Sequence, residues 1–357
     1  MTGFDQRADV SSKRLSRRGF IKVAAAVGFL TGCRTANPQP TPTTSIPPTS
    51  TPPPQSTATS SPTPTVSQGG PDELSRVVHT HHAGVWDDEE LAPQAIRQML
   101  DVSVAELTGL SDASEAWATL FDPSERIAIK VSTISSSDFW THVPLVMAVT
   151  ECLQNVGVPA EQIVVFDRAT GELRAAGFPI NQDGPGVRCY GTDENYSGRW
   201  SVLNVEVMLS DILLNCDALI NVPILKGHIL AGCTFAMKSH YGIINNAPNL
   251  HRPIGPAIAG VNALPPIRDR TRLIIGDMLT ICTQDWHRAA TGHSILMSAD
   301  PVAHDTIGLQ ELCEVITSRG GSATGTMNTA TWWLEQGAEL GLGTNALDEI
   351  DLVEVSL

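Results

Sequence analysis

The sequence predicts an α/β fold, a mostly parallel twisted sheet flanked by helices and preceded by a disordered N-terminal region. Short runs of β-branched residues alternate with longer runs of helical periodicity, which is typical of strand–helix–strand units. Residues 34–70 are almost entirely Pro, Thr, Ser and Gln, so they lack the apolar side chains that would offset the entropy of folding. Residues 71–357 are enough for one large domain, and no internal repeat divides them.

The strands are predicted from β-branched runs, and the helices from apolar residues that recur every three or four positions. Two strands, at residues 127–131 and 163–167, are separated by a helix at 142–156 that ends at a glycine. Asp300 precedes Pro301 and is predicted to cap the helix that follows. In chain order, the other predicted strands are residues 187–190, 218–224, 273–276, 295–297 and 350–355, and the other predicted helices are residues 171–176, 205–215, 234–243, 301–317 and 331–340.

A basic leader precedes this domain. Arg17 and Arg18 lie in the run Ser-Arg-Arg-Gly-Phe-Ile-Lys, which is close to the twin-arginine export signal. The apolar stretch at residues 23–30 is shorter than the roughly 20 residues that a transmembrane helix needs. Leu-Thr-Gly before Cys33 matches the lipobox of bacterial lipoproteins. Residues 1–33 are therefore predicted to be a signal peptide that ends in a lipid-accepting cysteine, with a short N-terminal anchor as the alternative.

Lipid on Cys33 would replace a transmembrane helix, because two acyl chains anchor a protein stably where one chain does not. Residues 34–70 are then predicted to be an extended, solvated spacer between the membrane and the domain. The expected partners are the twin-arginine translocase during export and the membrane through the lipid. The expected location is the outer face of the cytoplasmic membrane, or the periplasmic side.

Charge and cysteine content exclude several classes of function. The formal net charge is −15, and the leader contains six basic and two acidic residues, so the chain after Cys33 carries −19. This charge argues against nucleic acid as a partner. None of the six later cysteines belongs to a CxxC pair, so no ferredoxin-type cluster or zinc ribbon is expected, while another kind of metal is left open. Buried free thiols are predicted, although export would permit a disulfide.

The densest group of polar residues follows the predicted strand at 218–224. Lys226 and His228 lie after it, and Lys238 and His240 lie on the next predicted helix, so a Lys-x-His motif occurs twice. In an open parallel sheet, the loops after the carboxyl ends of the strands converge on the ligand crevice. Lys238 follows three apolar residues, and a lysine in such a setting either pairs with a carboxylate or has a lowered pKa. The alternative is a lysine whose stem packs along an amphipathic helix.

The stretches 222–228 (VPILKGH) and 236–242 (AMKSHYG) resemble the signature of domain-of-unknown-function family number 362. The resemblance extends through residues 128–131, 163–167, 274–277 and 300–305, and so covers most of the domain. Members of that family often carry twin-arginine signals. Two positions depart from its pattern, since Gly227 stands where an acidic residue is usual and Ser239 stands where an asparagine is usual. Because the family has no assigned reaction, the resemblance implies a fold and candidate positions but no activity.

Three carboxylates and a further lysine complete the predicted site. Asp167 and Asp277 each end a predicted strand, Asp305 lies one turn into a helix, and Lys130 is an unusual charge in an apolar run. The predicted catalytic set is Lys226, His228, Lys238, His240 and Asp277. The predicted ligand-binding set is Lys130, Asp167 and Asp305. The alternatives are aspartates that cap turns or helices, and a lysine that protects an edge strand.

His79 and His81 form a separate candidate. On a strand the two side chains would point to the same face, a spacing that suits a metal ion. The alternative is a solvated segment that follows a linker.

Two functions remain open. The first is an enzyme acting on a small anionic metabolite or a cell-envelope component. In that case the lysines would hold a carboxylate or phosphate, His228 or His240 would act as general acid or base, and Asp277 would orient the histidine. The second is a lipoprotein that binds a ligand or metal at the cell surface without turnover. The twin-arginine route favours the first, because it carries proteins that are already folded.

Overall fold

The computed structural model of this chain describes residues 74–134, 139–283 and 289–357. Three sequence predictions lie outside these residues: the export signal at Arg17 and Arg18, the lipid-accepting Cys33 and the spacer at 34–70. Within the described residues, no helix is both long enough and apolar enough to cross a membrane.

The described residues form fourteen strands and ten α-helices. The strands are β1 Ser75–His81, β2 Trp86–Asp87, β3 Glu90–Leu91, β4 Ile127–Val131, β5 Ile163–Phe166, β6 Arg188–Cys189, β7 Tyr196–Val202, β8 Val205–Ser210, β9 Ala218–Val222, β10 Ile224–His228, β11 Gly232–Thr234, β12 Thr271–Cys282, β13 Ala289–Ser298 and β14 Ile350–Ser356. The helices are α1 Pro93–Thr108, α2 Ala113–Leu120, α3 Val143–Asn155, α4 Thr170–Ala175, α5 Asp211–Leu214, α6 Ala236–Ser239, α7 Ile254–Asn262, α8 Pro265–Arg268, α9 Pro301–Ser318 and α10 Thr324–Glu339.

A ten-stranded sheet forms the centre of the domain. Its main path runs in the order β14-β1-β13-β12-β9-β4-β5-β6, and β10 and β11 extend from β12. The pairs from β12 to β6 are parallel, as is β1 with β14, whereas β13 is antiparallel to both of its neighbours. The predicted fold, a mostly parallel sheet flanked by helices, is therefore confirmed.

Strand β12 is long because β9 and then β10 pair with successive parts of it. Pro223 separates β9 from β10, and its carbonyl oxygen accepts a hydrogen bond from the Asp277 amide at 2.7 Å. Strand β4 ends opposite Val222, so β10 continues beyond the carboxyl end of β4. This path carries Lys226 past the end of the parallel strands, where ligand crevices form in open α/β sheets.

The sheet is covered by helices on both faces. Along β4, Ile127 and Ile129 belong to the core formed with α1, α2 and α3, whereas Ala128 belongs to the core formed with α7, α9 and α10. Because successive side chains of a strand point to opposite faces, Lys130 lies on the same side as Ala128. Burial on both faces explains why these parallel strands are continuous apolar runs in the sequence.

Most predicted elements are present with shifted bounds, but one prediction is wrong. Residues 205–210, predicted as the first half of a helix, form strand β8, which pairs with β7 in a separate two-stranded sheet. Val207 and Leu209 are buried and alternate with less buried residues, which is a strand period rather than a helical one. The helix predicted at 234–243 is the short α6 followed by a 3₁₀ turn at His240–Ile243. Helices α1, α2, α7 and α8 were not predicted.

Two smaller predictions are confirmed. Asp300 caps α9, since its carboxylate accepts hydrogen bonds from the backbone amides of Val302 and Ala303, both at 2.8 Å. The six cysteines after Cys33 are free and buried.

Candidate functional site

The lysines of this chain are few and unevenly placed. The sequence contains five, of which Lys13 and Lys22 belong to the predicted leader. The other three are Lys130, Lys226 and Lys238, and their relative exposures are 1%, 4% and 8%. Lysine is normally a surface residue, and full burial is rare unless the charge is paired. Every lysine after residue 33 is therefore buried, which marks their surroundings as a candidate functional site.

Lys130 is paired. Its ammonium nitrogen lies 2.8 Å from Asp167 Oδ1, and both side chains are buried. Asp167 also accepts hydrogen bonds from the backbone amide and the hydroxyl of Thr133, at 2.7 and 2.8 Å. Although burial opposes ionisation, the Lys130 ammonium holds the pKa of Asp167 below its ordinary value. Gly242 packs directly on the pair, because a Cβ there would lie 2.7 Å from Asp167 Oδ1 and 2.8 Å from the Lys130 nitrogen.

Lys226, on β10, is held by main-chain oxygens. Its ammonium donates to the carbonyl oxygens of Ile134 and Phe139, at 3.1 and 3.4 Å. Burial lowers the pKa of Lys226 to about 8, against the opposing attraction of Asp167. Within the described residues these contacts provide dipoles rather than a counter-charge for Lys226.

Lys238, on α6, differs from both, since in the described part of the chain it contacts neither a carboxylate nor a carbonyl oxygen. Among the described residues its ammonium forms no hydrogen bond or ion pair, and it lies 3.8 Å from the centroid of the Tyr241 ring. Burial, followed by the positive charges of Lys226 and Lys130, lowers the pKa of Lys238 to about 7. The sequence left a carboxylate partner and a lowered pKa as alternatives for this lysine, and the structure shows the second.

Helix α6 is only one turn long, so tertiary contacts position Lys238. Asp305 accepts hydrogen bonds from the backbone amides of Ala236 and Met237, both at 2.8 Å. Asn221 on β9 donates to the Ala236 carbonyl, and Asn262 on α7 donates to the Met237 carbonyl. Asp305 was predicted to bind ligand, but both of its oxygens are used by these amides, so it supports the helix that carries Lys238.

Asp305→Ala is therefore expected to destabilise the domain strongly. It removes the hydrogen bonds to two buried amides, which are left unsatisfied, and the contact of Asp305 Oδ1 with His304 Nδ1 at 2.9 Å, so it should lower the free energy of unfolding by about 3 kcal/mol or more. Asp112→Ala is the matched control, because Asp112 is exposed and caps α2 through a single bond to the Glu115 amide. Its loss should cost about 1 kcal/mol. Urea denaturation of both variants measures the difference, and equal losses would show that Asp305 does not hold α6.

The two histidines of the Lys-x-His motifs have different hydrogen-bonding states. His228 Nδ1 accepts hydrogen bonds from the amides of Leu230 and Ala231, at 3.1 and 3.0 Å, so in the neutral ring Nε2 carries the proton. His240 Nδ1 contacts Asn262 Oδ1 at 2.7 Å, and Asn262 uses its amide nitrogen on two carbonyl groups. His240 Nδ1 is therefore the donor, and its Nε2 is a buried acceptor that has no partner among the described residues.

Both histidines remain neutral near pH 7. Burial, then the charges of Lys238, His251 and Lys226, lower the pKa of His228 to about 4. Burial, together with the charge of Lys130, also lowers the pKa of His240 to about 4, although its bond to Asn262 opposes the shift.

Asp277 was expected to orient His228 or His240, and the structure does not support this. Both of its oxygens face His142, which donates from its backbone amide at 2.8 Å and whose Nδ1 lies 2.8 and 3.0 Å from them. Although burial opposes the charged form, Asp277 raises the pKa of His142 above its ordinary value. Asp277 thus forms a buried dyad with a histidine at the start of α3, and its place in a catalytic set stays a prediction.

His79 and His81 lie on β1, away from the lysine segment. His79 Nδ1 is 3.6 Å from Glu311 on α9, and the His81 ring is 5.6 Å from that of His293. Within residues 74–134, 139–283 and 289–357, no three or more His, Cys, Asp or Glu side chains are grouped so that they could hold a metal ion. Metal binding at His79 and His81 therefore gains no support from the geometry.

The amino-acid sequence of residues 127–310 matches the family model described as Domain of unknown function (DUF362). This chain belongs to that family. The matched region contains all three buried lysines together with both Lys-x-His motifs, so the predicted family resemblance is confirmed. Among curated proteins, none matches this chain.

Two solved structures are similar in part. A Thermotoga maritima protein determined by a structural genomics consortium aligns over 65% of this chain and 60% of its own, with 11% identity and a TM-score of 0.38. The lactate racemase apoprotein from Thermoanaerobacterium thermosaccharolyticum aligns over 69% of this chain and 59% of its own, with 11% identity and a TM-score of 0.38. This chain thus spans about three fifths of the length of each.

Proposed function

We propose that this DUF362 protein binds a small organic anion, a carboxylate or a phosphate, at Lys226 and Lys238. The observation that carries the proposal is the imbalance of charge in the buried cluster, counted over the residues that the structure describes. Three lysines gather there, the charges that lower the pKa of Lys238 are those of the other two, and Asp167 is already paired with Lys130. Buried like charges repel each other, so the arrangement destabilises the empty protein. A bound anion would offset that repulsion.

His228 supplies the proposed site with a second polar group. Its Nε2–H is free to donate, because its Nδ1 is committed to two backbone amides. A neutral imidazole can donate a hydrogen bond to a ligand oxygen and can act as a proton relay in an acid–base reaction. On these grounds we infer an enzyme that acts on a small anionic metabolite or cell-envelope component, rather than a passive binder.

A thermal-shift screen tests the anion proposal. Phosphate, propionate and succinate should each raise the melting temperature of the full chain, since a ligand that binds only the native state stabilises it by RT ln(1 + [L]/Kd). Propionamide, which has the size of propionate without its charge, is the control. If the neutral amide and the anions give equal shifts, the site does not recognise charge and the proposal is overturned.

We further propose that the chain is exported through the twin-arginine route and anchored by lipid on Cys33. Support comes from the order of the leader, with Arg17 and Arg18 first, a short apolar stretch next and the lipobox cysteine last. A domain whose only lysines are buried and whose charge after Cys33 is −19 would be repelled by an anionic membrane surface. The spacer at 34–70 would hold the domain away from that surface.

Cys33→Ala should release the protein from the membrane or leave it as an uncleaved precursor. The physical reason is that the lipid on Cys33 would supply the affinity for the bilayer. Fractionation followed by intact-mass measurement checks the outcome, and Cys313→Ala serves as the control for loss of a thiol. A Cys33→Ala protein that is still processed and still sediments with membranes would contradict the anchor.

A further inference from the structure

The three buried lysines differ in what their nitrogen atoms contact. Lys130 is bonded to a carboxylate and Lys226 to two carbonyl oxygens. Lys238 contacts only the face of the Tyr241 ring among the described residues. An aromatic face attracts an ammonium, but it accepts no conventional hydrogen bond and carries no net charge. Lys238 is therefore a nine-tenths buried amine that has no oxygen acceptor within residues 74–134, 139–283 and 289–357.

An amine in this setting loses its proton readily. The low exposure of Lys238 disfavours the ammonium form, and the charges of Lys226 and Lys130 disfavour it further. With a pKa of about 7, a large share of Lys238 is neutral at physiological pH. A neutral amine has a free electron pair and is a nucleophile, and desolvation beside another cation is the recognised way to activate a lysine for attack on a carbonyl carbon.

We propose that Lys238 forms an imine with a carbonyl group of the bound anion, so that the site takes a keto acid or an aldehyde acid. This inference rests on the proposed function, because Lys226 is the group that holds the charged end of the ligand. The two lysines then have separate roles. Lys226 remains charged between its two carbonyl groups and binds the carboxylate, while Lys238 meets the carbonyl carbon.

The step balances without any further reagent. The Lys238 electron pair forms a bond to the carbonyl carbon, and the carbon–oxygen bond breaks. The oxygen leaves as water with the two hydrogen atoms of the amine, and the product is a carbon–nitrogen double bond. The Nε2–H of His228 is the donor available to the departing oxygen, since its Nδ1 already accepts two amides. Uptake of one proton from solvent gives the cationic imine, which withdraws electrons from the neighbouring carbon atoms.

Reductive trapping tests the proposal in the full chain. Pyruvate with sodium cyanoborohydride should add one carboxyethyl group to Lys238, and propionate should add nothing because it has no carbonyl that forms an imine. The scarcity of lysines makes the result unambiguous, because Lys130 and Lys226 are the other lysines after residue 33. Cleavage after Phe235 places Lys226 and Lys238 in different peptides for mass spectrometry.

The rate of trapping should level off as the pH rises past about 7, which is where Lys238 becomes neutral. Lys238→Arg keeps a basic side chain but cannot form the adduct, and its circular dichroism reports whether it folds. Should that variant not fold, the position of the label in the wild-type chain still decides. The proposal would be overturned if the carboxyethyl group were found on Lys226 or Lys130 instead, or on no internal lysine.

Failure of the imine and failure of anion binding give different results. If phosphate raises the melting temperature but pyruvate is not trapped at Lys238, anion binding stands and the imine is overturned. If Lys238 is trapped but no anion stabilises the protein, the imine stands and the proposed function is overturned.

Discussion

Lys238→Met is expected to leave the domain folded and to abolish its stabilisation by small anions. No carboxylate in the described part of the chain depends on Lys238, so its removal leaves no buried charge uncompensated. Methionine fills a similar volume without the cost of burying an ammonium beside two others. At an anion concentration of 100 Kd the wild type should gain about 2.7 kcal/mol, and the variant should gain none.

The variant should also be at least as stable as the wild type without ligand, and the gain should depend on pH. The pKa of Lys238 is lowered in the folded state, so the cost of burying its charge is full below about pH 7 and vanishes as the pH rises toward 10.5. Arg199→Met is the matched control, because it removes one positive charge from an exposed strand. A Lys238→Met protein that unfolds would show that this lysine is structural. A folded variant that responds to anions as the wild type does would place the site elsewhere.

Lys130→Met is expected to have the opposite effect on stability. It leaves the carboxylate of Asp167 buried without its ammonium partner, and breaking a buried ion pair from one side costs about 3–5 kcal/mol. Chemical denaturation at pH 7 measures the loss. The lowered pKa of Asp167 means that the pair contributes fully above the ordinary aspartate value of 3.8 and is lost as the pH falls through the folded value. The difference in the free energy of unfolding between the wild type and Lys130→Met should therefore become smaller as the pH is lowered.

A second substitution separates lost charge from lost packing. Asp167→Asn in the Lys130→Met background removes the uncompensated charge and keeps an oxygen that can accept from Thr133. The double variant should recover part of the stability that Lys130→Met loses, because removing both partners avoids the penalty of a lone buried charge. A double variant less stable than either single one would contradict the ion-pair account.

The fold was predictable because its signals are local. Apart from Lys130, residues 127–131 and 163–166 are apolar on both faces, and that pattern predicts buried parallel strands. The prediction failed at residues 205–210, where Val207 and Leu209 are followed closely by the apolar residues of α5, so strand and helix periods overlap. Packing against β7 decides between them, and a single stretch of sequence does not contain that information.

The site was predictable in its residue types but not in its pairing. Lys226, Lys238 and His228 were selected from the sequence as site residues, since charged residues next to apolar runs are conspicuous. The partner of Asp277 was not predicted, because His142 is 135 positions away and looks like the first residue of an ordinary helix. Asn221 and Asn262 were missed for the same reason, since an amide that holds a distant backbone carbonyl leaves no local pattern. The one overlooked signal was the count of lysines.

The central claim, that an anion binds at Lys226 and Lys238, is tested most directly by the rate at which Lys238 is acylated. An amine reagent such as acetic anhydride is applied to the full chain with and without saturating phosphate, with a lysine-containing peptide in the same tube as reference. The account predicts that phosphate slows acetylation of Lys238 and of Lys226 and leaves the reference peptide unchanged. Equal rates at Lys238 in the presence and absence of every anion that raises the melting temperature would contradict it.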